Sequence, residues 1–160
     1  FRALFTTSLH GKNKANVLLP GVSSDMMQTL LSYIYMRKLE VTEDNVYQLL
    51  MTADYLSILG VLNICCQFLE SKLSPTNCIG ILNFARAHFC KQLAQNTWKY
   101  IMRYFVLVGQ QSQELLNLSL EDLQEIINAD ELNVKSEETV WDALLRWINH
   151  DPEERKKHIV

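Results

Sequence analysis

The sequence predicts a mainly α protein, and three observations carry that prediction. Three Pro and five Gly among 160 residues leave few helix-breaking positions. Between these positions, apolar residues recur mostly at the three- and four-residue spacing of one helix face, and seldom alternate as in a half-buried strand. The content of 48% hydrophobic and 21% charged residues matches that of globular domains. We therefore expect one ordinary domain or two small ones.

The charge balance and the hydropathy exclude two classes of partner. Because 15 Lys and Arg stand against 18 Asp and Glu, the net charge is only -3, and no basic field is available for nucleic acid. No apolar run reaches the roughly 18 residues of a membrane span, so no membrane partner is expected. The chain begins at Phe1 without a visible secretory signal, and we expect a cytoplasmic piece of a longer protein.

The first predicted elements are two short strands with a helix between them. The strands cover residues 15–19 and 38–41, and the first ends at Pro20-Gly21. Ser23 is expected to cap the helix, with Asp25 in its first turn. Its apolar stripe comprises Met26, Met27, Leu30, Leu31 and Ile34.

Two similar helical hairpins in tandem are predicted next. Thr42 is expected to cap a helix through residues 46–53, and a second helix follows over 61–73, separated from the first near Gly60. Ser74-Pro75 is expected to cap and open the second hairpin. A shift of 32 residues aligns the two hairpins without a gap. The aligned pairs are Asn45 with Asn77, Leu49 with Ile81, Leu50 with Leu82, Ala53 with Ala85, Val61 with Leu93, Cys66 with Trp98, Leu69 with Ile101 and Leu73 with Phe105.

The last part of the chain is predicted to hold shorter helices. Ser119 with Asp122 resembles a capping box for a helix over 120–127, and residues 130–134 interrupt the pattern. Ser136 is expected to start a further helix, and Asp151-Pro152 to open another. The residues expected to be buried in the helix after Ser136 are Val140, Trp141, Leu144, Leu145 and Ile148.

No motif for catalysis, a cofactor or a metal is convincing. His88, Cys90 and Cys78 could form a metal site or a Cys/His pair, but structural zinc requires closer ligand spacing. Buried reduced thiols are the preferred interpretation of all four cysteines, and a redox-sensing thiol stays open. His150-Asp151 lacks a nucleophile in a strained turn, and no Gly-rich phosphate loop is present. We therefore expect a protein without enzymatic activity, cofactor or metal.

Aromatic residues in the second hairpin indicate a binding module. Most of them are expected in the core, while a minority at a groove would suit capture of a helix or an extended arm of another protein. They are Phe84, Phe89, Trp98, Tyr100, Tyr104 and Phe105.

Several runs of the chain together resemble the BTB-BACK-kelch, or kelch-like, family. Residues 1–6, Tyr33-Ile34-Tyr35, Ala53-Asp54-Tyr55-Leu56 and Cys65-Cys66-Gln67-Phe68-Leu69 are similar to the C-terminal half of a BTB/POZ α/β domain. Residues 77–81, 130–134 and 147–152 are similar to the helical-hairpin BACK domain. The resemblance implies a BTB part at 1–73, with its front half missing, and a BACK part at 74–160, with its C-terminal end missing.

The resemblance also implies a function. Members of this family are substrate adaptors of cullin-3 RING ubiquitin ligases, in which the BTB domain and the first BACK helices bind the cullin-3 N-terminal domain. A kelch propeller, absent from this chain, binds an unknown protein substrate, and the BTB domain forms a homodimer in the full-length protein. Carried over by position, the cullin-binding residues are Phe5, Leu9, Asp54, Tyr55 and Leu56, and near a groove in the second hairpin Ile79, Leu82, Leu93 and Trp98.

One position departs from the family pattern. The cullin-binding loop often reads hydrophobic-x-Glu, whereas Leu9-His10 is followed here by Gly11. The missing carboxylate could weaken cullin binding. A non-catalytic BTB-BACK scaffold, for example an actin-linked one that does not bind cullin-3, is therefore the alternative function.

Overall fold

A computed structural model of the chain describes residues 19–158, and helices dominate that range. The chain divides into two compact units, residues 1–68 and 69–160, with the division inside one helix. The α-helices are α1 (Ser24–Met36), α2 (Val46–Tyr55), α3 (Leu59–Ser71), α4 (Cys78–Ala87), α5 (Lys91–Gln111), α6 (Leu120–Ile127), α7 (Glu137–His150) and α8 (Pro152–Arg155). Short 3-10 helices span Glu114–Asn117 and Lys156–His158. The predicted mainly α class is confirmed.

The strand predicted over residues 38–41 is absent from the structure, and residues 15–18 of the other predicted strand lie outside the described range. The backbone at 40–42 is instead bound by the side chain of Asn45. The Asn45 amide donates to the Glu40 carbonyl oxygen at 3.1 Å, and its Oδ1 accepts from the Thr42 N–H at 2.9 Å. The segment is therefore irregular backbone ahead of the turn at 43–45, and its polar groups are satisfied locally by Asn45.

Helix α1 begins as predicted but buries a narrower face. The Ser23 hydroxyl accepts a hydrogen bond from the Met26 N–H at 3.3 Å, which confirms the predicted cap. Of the five stripe residues, only Met26 and Leu30 are buried; Leu31 and Ile34 are exposed. The buried face consists of Met26 and Leu30, one helical turn apart, so the predicted apolar stripe contained too many residues.

The two hairpins start with the same turn, 32 residues apart. The helices begin after Asn45 and Asn77, so the prediction that Thr42 and Ser74 are the helix caps was wrong by three residues. Asn77 repeats the bonds of Asn45: its amide donates to the Lys72 carbonyl oxygen at 2.9 Å, and its Oδ1 accepts from the Ser74 N–H at 2.8 Å. The internal repeat thus extends to individual hydrogen bonds.

The two hairpins also share the geometry of the turn that follows their first helix. Ser57 has φ 56° and Phe89 has φ 54°. The Ile58 N–H donates to the Ala53 carbonyl oxygen at 2.7 Å, and the Cys90 N–H donates to the Ala85 carbonyl oxygen at 2.8 Å. These bonds and the left-handed residue define a Schellman motif in each hairpin, a position where Gly is usual.

The core of the second unit lies between α4, α5, the 3-10 helix at 114–117, α6 and α7. Its buried members are Cys78, Ile79, Leu82, Ile101, Met102, Phe105, Val108, Leu115, Leu116, Leu118, Leu123, Ile126, Ala143, Trp147 and Ile148. Helix α5 is kinked at Tyr104, where φ is −113° and ψ is 24°. Asn133 binds two carbonyls beside the kink: its N–H donates to the Met102 carbonyl oxygen at 3.0 Å and its side-chain amide to that of Arg103 at 3.4 Å. The loop that interrupts the helical pattern therefore stabilises the bend.

Helix α6 begins as predicted, since the Ser119 hydroxyl accepts from the Asp122 N–H at 3.1 Å. The buried face of α7, however, differs from the prediction. Trp141 is 53% exposed and Leu145 37% exposed, whereas Trp147 is buried. The Trp147 indole N–H donates to the Leu118 carbonyl oxygen at 2.9 Å, and the Arg155 guanidinium lies 4.1 Å from the centre of its ring.

Candidate partner-binding surface

The first hairpin presents three of the predicted binding residues at its turn. Asp54 and Tyr55 are the last residues of α2, and Leu56 follows in the turn. Asp54 is exposed, Tyr55 is 62% exposed and Leu56 is half-buried. The Schellman motif described above ends α2 at this point and orients the three side chains.

An exposed apolar row on α2 leads to this turn. Tyr47, Met51 and Tyr55 are 40%, 49% and 62% exposed, and their four-residue spacing places them on one face. Tyr47 and Met51 were missed by the sequence analysis. The signal was present in the sequence, because both lie off the helix face of the aligned apolar positions Leu49, Leu50 and Ala53. The structure buries Val46, Leu49, Leu50, Thr52 and Ala53.

The second hairpin buries most of the residues predicted to form its groove. Ile79, Leu82 and Leu93 are only 2%, 3% and 1% exposed. Trp98 is half-buried, and the Arg86 guanidinium lies 5.4 Å from its ring centre. Three of the four predicted groove residues therefore pack the interior, and only Trp98 offers part of its side chain to a partner.

An ion pair fixes the surroundings of Trp98. Arg86 on α4 and Glu125 on α6 make two hydrogen bonds of 2.9 and 2.8 Å. Both side chains are more than two-fifths exposed, so this pair contributes little free energy by itself. Its bidentate geometry holds the guanidinium plane over the indole ring.

A half-buried carboxylate makes a contact at the start of α4. The Gly80 N–H donates to the Glu114 carboxylate at 2.9 Å, which places a negative charge at the positive end of the helix dipole. A Cβ at Gly80 would lie 2.5 Å from Glu114 Oε1, so a side chain at this position would displace the Glu114 carboxylate. Burial, with a smaller contribution from Glu114, raises the pKa of the Cys78 thiol to about 12. Cys78 is therefore neutral at physiological pH.

A polar cleft lies between the end of α3 and the first half of α5. Its volume is about 420 Å³, and the Asn96 amide donates to the Glu70 carboxylate across it at 2.8 Å. The rings of Tyr100 and Tyr104 lie 4.7 Å apart. Burial is the main cause that raises the pKa of Tyr100. The remaining lining residues are Leu73, Lys99 and Arg103.

An apolar groove lies on the second unit, between the end of α6 and the start of α7. It has a volume of about 610 Å³ and two carboxylates, Glu137 and Glu138, at its border. Its apolar lining is Ile127, Ala129, Leu132, Val134, Val140, Trp141 and Leu144.

The remaining predictions concern the first residues of the chain, the cysteines, metal binding and membrane spans. Phe5, Leu9 and Gly11 lie outside the described residues. The four cysteines, all within 19–158, form no disulfide. In that range, no group of three or more His, Cys, Asp or Glu side chains is arranged to hold a metal ion. None of the helices there has both the length and the hydropathy that a membrane crossing requires.

Two domain families match the chain. The BTB/POZ domain profile matches residues 1–73. The profile of the BACK domain, described as BTB And C-terminal Kelch, matches residues 78–160 and so more than half of the chain. The chain belongs to the BTB-BACK family.

Curated relatives of this BTB-BACK chain carry the name kelch-like. Kelch-like protein 17 of Homo sapiens is 36% identical over 159 residues, which are 99% of this chain and 25% of that protein. Kelch-like protein 3 of Bos taurus and of Homo sapiens is 38% identical over 161 residues, which are 99% of this chain and 27% of the relative. The chain thus spans about a quarter of the length of the relatives it matches.

Proposed function

We propose that this chain is part of a substrate adaptor of a cullin-3 RING ubiquitin ligase. It binds the cullin-3 N-terminal domain and carries out no chemistry of its own; it raises the concentration of a substrate near the ligase. Membership of the BTB-BACK family supports the proposal, and the observation that carries it is the exposed row Tyr47, Met51 and Tyr55, which leads to Asp54 and Leu56.

The exposed row has the chemistry of a protein interface. Aromatic side chains are enriched at interfaces because each offers a large apolar area for few rotatable bonds, and methionine because its flexible thioether chain adapts to the partner surface. The opposite face of α2 is buried, so the row can engage a partner without unfolding the helix. Phe5 and Leu9 are proposed to add contacts from the first part of the chain, and Trp98 from the second hairpin.

The whole protein is proposed to act as kelch-like adaptors do. Its BTB domain forms a homodimer, a kelch propeller outside this chain binds the substrate, and the complex assembles in the cytoplasm. Ile79, Leu82 and Leu93 act on cullin binding indirectly, because they pack the hairpin that carries Trp98.

Calorimetric titration of the chain with the cullin-3 N-terminal domain, including its N-terminal extension, tests the proposal. Far-UV circular dichroism first confirms the helical fold. We expect one-to-one binding with a Kd of about 1 μM or lower. Met51→Ala and Tyr55→Ala should each weaken binding by about 1–3 kcal/mol, since they remove apolar contact area. Trp141→Ala, an exposed aromatic of the other unit, is the control that should bind as the parent does.

A well-folded chain that does not bind would contradict the adaptor and favour the scaffold. The Gly11→Glu variant separates the two functions further, because it restores the carboxylate of the family pattern. A gain from no detectable binding to micromolar binding would mean that the natural chain has lost cullin contact. An increase of a few-fold over a measurable parent affinity agrees with the adaptor.

A further inference from the structure

Phe89 combines two features that rarely occur together. Its ring is 85% exposed, the largest exposure among the large hydrophobic residues of the described part of the chain. Its backbone is left-handed, with φ 54°. Bulky residues rarely adopt this conformation, because Cβ approaches the following carbonyl oxygen.

The turn around Phe89 enforces that conformation. The Phe89 N–H donates to the Arg86 carbonyl oxygen at 3.2 Å, and the Cys90 N–H to that of Ala85 at 2.8 Å. These are the two bonds of a Schellman motif, in which Phe89 occupies the position that favours Gly. Ser57 holds the same position in the first hairpin, so the turn itself does not require an aromatic residue.

The Phe89 side chain therefore strains the backbone of the turn and, because it is exposed, contributes little to packing. A solitary exposed hydrophobic residue needs no explanation, but one kept at a strained backbone position does, since strain that the fold itself does not use points to a function. Exposed aromatic side chains are the groups that anchor protein interfaces.

We propose that Phe89 is a contact residue for the cullin-3 N-terminal domain and inserts its ring into an apolar pocket on that helical partner. This inference rests on the proposed function and deepens it. In the second hairpin, Ile79, Leu82 and Leu93 are buried, so the apolar contact there is left to the exposed Phe89 together with the half-buried Trp98. In the 32-residue register His88 is the counterpart of Leu56, and Phe89 follows it as the counterpart of Ser57. Phe89 therefore lies in the same turn of its hairpin as the proposed contact residues of the first hairpin.

The test uses a substitution that should stabilise the fold while it weakens binding. Phe89→Gly removes the ring and relieves the left-handed strain, so the midpoint of thermal unfolding should rise by a few degrees. The affinity for the cullin-3 N-terminal domain should fall by about tenfold or more. A folding defect cannot produce this pair of changes.

Two further variants control for the apolar side chain and for the strain. Phe89→Leu keeps a large apolar side chain without a polar group at the same backbone conformation and should retain more of the parent affinity than Phe89→Gly does. Ser57→Gly relieves the equivalent strain without removing a ring, so it should raise the unfolding midpoint and leave the affinity unchanged.

The outcomes separate this inference from the proposed function. If the parent binds and Phe89→Gly binds equally well, Phe89 is not a contact residue and the adaptor proposal stands. If the folded parent does not bind at all, both the proposed function and the inference are overturned. If Phe89→Leu loses affinity to the same extent as Phe89→Gly, insertion of the side chain into an apolar pocket is wrong.

Discussion

The first and second hairpins have the same backbone turns but use them differently. Both begin with an Asn that bridges the preceding turn, and both end their first helix in a Schellman motif. Tyr47 of the first hairpin is 40% exposed, while Ile79, its counterpart 32 residues later, is 2% exposed. Helix α4 packs against α5 and the 3-10 helix at 114–117, and Ile79 belongs to that core. Local turn chemistry thus determines the backbone, and tertiary packing determines which positions are available to a partner.

The largest predicted effect follows from this difference in burial. Ile79→Ala should lower the free energy of unfolding of the second unit by about 2–5 kcal/mol, because it leaves a cavity in the core. Tyr47→Ala should lower that of the first unit by about 1 kcal/mol or less, because its ring is partly in water. Urea unfolding followed by circular dichroism measures both. Equal losses would mean that the two positions are equivalent in energy as well as in sequence, and would remove the contrast between the hairpins.

A second prediction concerns Gly80 and its counterpart Gln48, which differ because the Gly80 N–H donates to the Glu114 carboxylate at the start of α4. Gly80→Ala should destabilise the second unit by about 1 kcal/mol, since displacement of Glu114 outweighs the gain in helix propensity. In a Glu114→Ala background the same substitution should stabilise by a few tenths of a kcal/mol or more. The measurement is a double-mutant cycle of unfolding free energies. Additive effects would show that the Gly80–Glu114 contact contributes nothing.

The sequence predicted the features that depend on local spacing. The 32-residue repeat was visible because apolar residues recur with the same spacing in both hairpins. Leu50 and Ala53, for example, are repeated by Leu82 and Ala85, and all four are buried. The caps at Ser23 and Ser119 were predicted because each bond joins residues three apart. The Asn45 and Asn77 turns were missed, because their amides reach back five residues and the alternative caps Thr42 and Ser74 are equally suitable by residue type.

The candidate surface depended on information that local spacing does not contain. The burial of Ile79 and Leu82 results from packing against α5 and against elements more than 30 residues away in the chain, such as the 3-10 helix at Glu114. Trp141 was predicted to be buried but is exposed, and Trp147 is buried instead, with its indole bound to Leu118, 29 residues away in the chain. Aromatic residues at helical spacing are equally compatible with both faces, so only packing distinguishes a core residue from a contact residue.

A smaller effect is expected where the second hairpin buries a hydroxyl. Thr97 is completely buried and its Oγ1 finds no hydrogen-bond partner among the described residues; the buried thiol of Cys65 occupies the equivalent place in the first hairpin. Thr97→Val should therefore stabilise the second unit by about 1 kcal/mol, since a buried polar group without a partner costs about this much. Thermal unfolding measures it, and Thr97→Ser, which keeps the hydroxyl, is the matched control. A loss of stability in Thr97→Val would indicate that the hydroxyl makes a bond that stabilises the fold.

The last prediction concerns Cys78 and its counterpart Val46. The substitution should have the smallest effect on stability at neutral pH, but it should change how stability depends on pH. The folded protein raises the pKa of Cys78 from 9.0 to about 12, so the unfolded chain releases this proton first as the pH rises. The neutral thiol therefore stabilises the fold fully below about pH 9, and that contribution is lost between about pH 9 and pH 12. Cys78→Val, which copies the first hairpin, should lose less stability over this range than the parent in urea unfolding at a series of pH values. Tyr100→Phe should likewise lose less stability at high pH than the parent, because burial also raises the pKa of Tyr100. Parallel curves for the parent and Cys78→Val would mean that Cys78 ionises equally in the folded and unfolded states, and that the carboxylate of Glu114 does not oppose its charge.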